Sequence, residues 1–195
     1  MRIKKKVTLS ALALVVVVLG LSAGSGFFTY SRLANEEPVA WLIFDKLSPQ
    51  YFQLTLKSAS NCESKQYAVY GDQWRVDARF LKWKSWANLL GFDALVRLER
   101  VSGRYTSLEE QNTKKHLSIA LVDKPWLDLL TYASEHAGFI SPLDTIFGSS
   151  VYQTIDTSLL YSISRTQSGL IVRQSQRENA RFVDGTLVIN IRSSC

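Results

Sequence analysis

The sequence predicts a β-rich α+β domain: an antiparallel sheet of six or so strands in a meander, one amphipathic helix packed on it, and a single N-terminal transmembrane helix as tether. Three observations carry this. Apolar and polar residues alternate with period two in at least five segments, the mark of half-buried strands. One stretch, Asp123 to Ala137, instead places apolar residues at helical spacing. The first thirty residues hold an uncharged apolar run behind a cluster of cations.

That run belongs in lipid. Residues 1–6 form a basic tail, and residues 7–30 follow as a helix that at about 1.5 Å per residue reaches about 36 Å, enough for a hydrocarbon core of about 30 Å. Arg2, Lys4, Lys5 and Lys6 hold the N-terminus in the cytoplasm, so the chain after Tyr30 faces the extracytoplasmic, periplasmic side of the inner membrane. A cleaved signal peptide is the alternative, with Gly24-Ser25-Gly26 as the cleavage region; Phe27, Phe28 and Tyr30, placed for the outer headgroup level, favour a retained anchor. Residues 31–37 are a polar linker, and 38–195 suit one exported globular domain with a real core. No later stretch approaches 18 consecutive apolar residues, so one chain builds no helical channel or carrier. Setting aside the four leading cations leaves 19 of the 23 basic residues against 17 acidic ones, a balance without a nucleic-acid footprint.

Pro38 to Phe44 is apolar on both faces, as a central strand would be. Ser48-Pro49 turns the chain into Tyr51 to Leu56, where Phe52, Leu54 and Leu56 alternate with polar residues, and Ser58 to Ser64 is a polar turn carrying Cys62. Gln66 to Tyr70 is the third strand, and Gly71-Asp72 turns it into a fourth, Gln73 to Leu81, with Trp74, Val76, Ala78 and Phe80 opposite Arg75, Asp77 and Arg79. Trp83, Trp86 and Leu90 recur at helical spacing before Gly91, which stops a short helix. Phe92 to Val101 is a fifth strand, breaking step at Leu95. Ser107-Leu108-Glu109-Glu110 has the form of a capping box, and Leu117 to Val122 is a short strand. Asp123 caps the amphipathic helix, whose stripe is Trp126, Leu129, Leu130, Ala133 and Ala137. The chain then wanders through Ser141-Pro142 and Gly148-Ser149-Ser150 to strands at Ser158 to Arg165 and Gly169 to Val172. Arg173 to Arg181 reads as a mobile connection, and Asp184-Gly185 as the two-residue turn of a hairpin.

No catalytic motif stands out, and no metal or cofactor is expected. His116 and His136, the only histidines, have no Cys or acidic neighbour at ligand spacing. An envelope hydrolase, the alternative function, would have to gather His116, His136, Glu109 or Ser149 from distant positions. Cys62 and Cys195 are the only cysteines; an exported compartment permits their pairing, against which stands the terminal place of Cys195, where chains fray. The one unusual surface candidate is Lys82, Trp83, Lys84 and Trp86, with Arg79 beside it and Arg97, Arg100 and Arg104 on the next strand. Indole rings bury area while ammonium groups stay wet, which suits a headgroup layer, a partner groove or a polymer; the alternative is that both rings close the core. The expected function is therefore a non-enzymatic, membrane-anchored envelope module that binds a partner protein, a membrane surface or an envelope polymer.

Gly71-Asp72-Gln73-Trp74, Asp77-Ala78-Arg79, Leu81-Lys82-Trp83, Trp86-Ala87-Asn88-Leu89-Leu90-Gly91 and Ser102-Gly103-Arg104-Tyr105, with weaker echoes at Phe147-Gly148-Ser149 and Gln167-Ser168-Gly169-Leu170, carry a resemblance. In these the chain resembles a bacterial membrane-anchored family of uncharacterised proteins commonly labelled "multidrug transporter" or "cation/multidrug efflux pump". The resemblance is dense only in the middle of the exported domain, ends before the tail from Arg173, and supplies no functional residues. It implies at most an accessory to an efflux or transport system, since a single spanning helix transports nothing by itself.

Overall fold

The computed structural model describes residues 14–20, 22, 24, 36–121, 143–183 and 186–189. The chain divides into two units, Met1–Asn35 and Glu36–Cys195. In the first, residues 14–20, 22 and 24 are helical, and Leu14, Val15, Val16, Val17, Val18 and Leu19 are all exposed. Most of the expected 7–30 anchor lies outside the described residues, and among those described no helix is long and apolar enough to cross a membrane.

The second unit is built from β1 (Glu37–Ser48), β2 (Tyr51–Ser58), β3 (Ser64–Tyr70), β4 (Gln73–Trp83), α1 (Ser85–Leu89), β5 (Leu95–Arg104), α2 (Leu108–Thr113), β6 (Ser118–Ala120), β7 (Leu143–Thr154), β8 (Leu159–Arg165), β9 (Leu170–Gln176), β10 (Ala180–Val183) and β11 (Thr186–Ile189). The β-rich, antiparallel expectation holds, but the strands do not form one meander. They make a five-stranded sheet ordered β3-β2-β1-β8-β9, a four-stranded sheet ordered β6-β5-β4-β7, and a separate β10-β11 hairpin. The chain changes sheets at Gly71-Asp72. Period-two alternation fixes which side chains share a face but not which strand lies alongside, so the sequence pattern cannot show this switch. Two glycines permit it. Gly71 has φ +121°, and a Cβ on Gly103 would lie 1.8 Å from the Tyr70 carbonyl oxygen, so the ends of β3 and β5 cross at backbone contact.

The core fills the space between the sheets. Ala40, Leu42, Phe44, Leu54, Val69, Tyr161 and Ile163 face Trp74, Val76, Ala78, Phe80 and Val101. At its centre Phe44 stacks on Trp74, with ring centroids 6.2 Å apart, and Tyr161 meets both rings edge-on. The Tyr161 hydroxyl donates to the Thr154 carbonyl and accepts from the Asp156 amide, so that hydroxyl is satisfied, while the buried Trp74 indole nitrogen has no hydrogen-bond acceptor among the described residues. As its two apolar faces demand, β1 is central in its sheet. Trp41 and Ile43 on its outer face form a second buried cluster with Leu160; Thr55 of β2, on the polar side of that strand's pattern, is buried there too, as is Lys57.

Three local expectations are corrected. Residues 143–154, including Gly148-Ser149-Ser150, are not a wandering loop but one long strand paired along the whole of β4. This is an edge strand, where a glycine costs little packing, and Phe147 anchors it by stacking on Phe80 at 5.2 Å. The step in β5 falls at Glu99 rather than Leu95: Asp77 pairs with Arg100 and Ala78 with Leu98, leaving Glu99 as a bulge. Arg173 to Gln176 continues β9, and Arg177 donates to the Phe44 and Thr157 carbonyls and pairs with Asp45, so this polar segment is fastened rather than mobile. The Asp123–Ala137 helix and the Asp184-Gly185 turn lie outside the described residues, although Val183 pairs with Thr186 as a two-residue turn requires.

Candidate interaction surface

At the end of β4 the Trp-Lys segment leaves the sheet as α1. The helix is short because β4 extends to Trp83, Lys84 offers no side-chain cap, and Gly91 at φ +104° ends it. Ala87 is fully buried and pins α1, while the Phe92 amide donates back to the Ala87 carbonyl at 3.2 Å. Trp83 is held from two sides. Its Nε1 donates to the Asp93 carbonyl at 2.8 Å, and its ring meets Phe92 with centroids 5.3 Å apart.

Four further large apolar side chains of this segment are exposed. Trp86 is 47% exposed, Leu90 71%, Phe92 48% and Leu95 39%. Four large apolar side chains within ten residues make a patch that solvation does not favour. Lys82 and Lys84 flank it, half-buried and with no ion pair among the described residues.

The wider positive face expected around this segment is not built. Arg79 and Arg97 both bind Glu99, Arg75 and Arg100 both bind Asp77, and Arg104 lies over the Tyr152 ring at 4.6 Å. Across the Glu99 bulge the four arginines fall into two pairs, each around one carboxylate. Burial alone would raise the Asp77 carboxyl, but hydrogen bonds from Ser150, Arg100 and Arg75 outweigh it and hold its pKa below the ordinary value. Arg79 is thus an ion-pair partner on the sheet rather than a loose cation of the patch.

The residues of the hydrolase alternative are not gathered among the described residues. Ser149 lies on β7, its hydroxyl accepting from the Leu170 amide at 3.0 Å. Glu109 is exposed on α2, whose cap is Ser107 as the capping box predicts, and His116 is exposed beyond it. His136 lies outside the described residues. No group of three metal-ligating side chains occurs among those described. Cys62 is disulfide-bonded at φ +58° in the turn after β2, and the one other cysteine, Cys195, lies outside the described residues.

Sequence reasoning missed two features. Phe92 and Leu95 read as strand residues, and only the fold shows that they are exposed as Trp86 and Leu90 are. The second is the link between this segment and the start of the domain. Arg165 donates to the Ala94 carbonyl and pairs with Glu37, so the patch and the first residue of β1 share one end of the sandwich. At the opposite end Gln50, Asp72, Glu110 and Lys114 hydrogen-bond one another and hold α2 to the β1-β2 turn. No family model, curated protein or solved structure matches the chain.

Proposed function

We propose that this protein is a non-enzymatic envelope module, held by residues 7–30 in the cytoplasmic membrane, whose Trp86-Leu90-Phe92 patch rests on the outer surface of that membrane. The observation that carries the choice of a lipid surface is the shared end. The chain enters the sandwich at Glu37, which Arg165 joins to the Ala94 carbonyl between Phe92 and Leu95, and Glu36 is six residues beyond Tyr30. Six extended residues span about 20 Å at most. Indole, phenyl and leucyl groups bordered by Lys82 and Lys84 are the composition of an interfacial contact, with the ammonium groups free to meet anionic lipid phosphates. The exposed aliphatic helix surface of Leu14 to Leu19 is consistent with the anchor.

Hydrogen exchange of the full chain tests this. Amides of residues 84–95 are expected to exchange more slowly in lipid nanodiscs than in amphipol, while those of β1 and β8 do not change. Equal exchange of residues 84–95 in the two settings would contradict the membrane contact.

A further inference from the structure

The same end of the sandwich holds a cavity of about 600 Å³, within the range of small-molecule sites. At the Gly71-Gly103 corner the sheets touch at backbone distance, but at the other end they have parted. Leu56 and Tyr67 form one wall and Val96 and Leu98 the other, while Leu95 both lines the cavity and belongs to the exposed patch. The charged groups around it are paired with one another: Arg165 with Glu37, Lys65 with Glu63, and Arg97 with Glu99. A rim so neutralised has no strong demand for a charged ligand, while Leu56, Val96 and Leu98 give the two walls apolar surface.

We infer that this cavity takes the acyl chain of a single-chain amphiphile, drawn from the bilayer past Leu95, with its head group left among the polar residues of the rim. The inference rests on the membrane-facing reading above, because the continuity of Leu95 with the patch is what favours a lipid over a water-borne solute. The acyl chain would lie between the sheets in contact with Leu56, Tyr67, Val96 and Leu98.

The test uses the full chain in vesicles of phosphatidylethanolamine and phosphatidylglycerol carrying a trace of a long-chain fatty acid with a terminal diazirine. After photolysis, label is mapped by peptide mass, with label on residues 7–30 reporting insertion. The expected result is label on residues 56–67 as well as 83–92. Val96→Trp and Tyr67→Trp, which fill the cavity from opposite walls, are expected to lower the 56–67 label by about tenfold and leave the 83–92 label unchanged. A melting curve for each identifies the variant that stays folded. Label on 83–92 without label on 56–67 overturns the cavity inference and leaves the membrane contact standing. Label on 56–67 that persists in a folded, filled variant overturns it as well. Label confined to 7–30 overturns both.

Discussion

Trp83 and Trp86 are neighbours in sequence with opposite environments. Trp83 has its indole nitrogen bonded to the Asp93 carbonyl and its ring against Phe92, whereas nearly half of Trp86 faces solvent. Trp83→Ala should therefore cost about 1–2 kcal/mol and Trp86→Ala less than about 0.5, against about 3–5 for Trp74→Ala at the centre of the core. Denaturant melts of the three variants check the order, and a Trp86 change as costly as Trp74 would return that ring to the core. Asp77 makes a second prediction at this scale. Its carboxyl titrates below the unfolded value of about 3.9, so its contribution is complete above that pH and is lost as pH falls through the folded pKa. Asp77→Asn should thus destabilise by about 1.5–3 kcal/mol near pH 7, with the difference from wild type closing in acid. A pH series of melting temperatures with a constant gap would show that the arginine pairs act by packing alone.

The strands themselves were legible because apolar patterning is local: β2, β4, β5 and β8 fall within a few residues of the segments their period marks, and β1 within a few residues of its doubly apolar run. Pairing was legible between hairpin neighbours, β1-β2, β2-β3, β4-β5 and β10-β11, but the change of sheet was not, since a Gly-Asp step reads alike whether it makes a hairpin or changes sheets. Gly103 carries the sheet change. Gly103→Ala places a methyl group against the Tyr70 carbonyl oxygen and should prevent stable folding, while Gly148→Ala, with nothing within 4 Å of its Cβ, should be neutral or slightly stabilising. Soluble yield and melting temperature of the two variants compare these directly. If both are tolerated, the corner is not what holds the sheets together. Gly148 also explains why β7 was missed: beside two serines it resembles a loop signal, and only pairing with β4 makes it a strand.

For the whole molecule, the candidate surface was half legible. The Trp-Lys segment stood out by composition, but whether its rings were core or surface depends on where β4 ends and on what α1 leaves uncovered. Arg79, Arg97 and Arg100, counted with it, are each paired with a carboxylate across a bulge whose place periodicity did not show. In the proposed function the end of the sandwich bearing Trp86 lies on the membrane in which residues 7–30 are expected to be held. Residues 1–35 contain no tryptophan, so quenching of tryptophan emission by brominated lipid reads the second unit alone. With the full chain in brominated-lipid vesicles, wild type is expected to be quenched and Trp86→Phe to remove most of that quenching while the melting temperature holds; quenching that is absent, or that survives Trp86→Phe unchanged, would mean that this end does not lie on lipid.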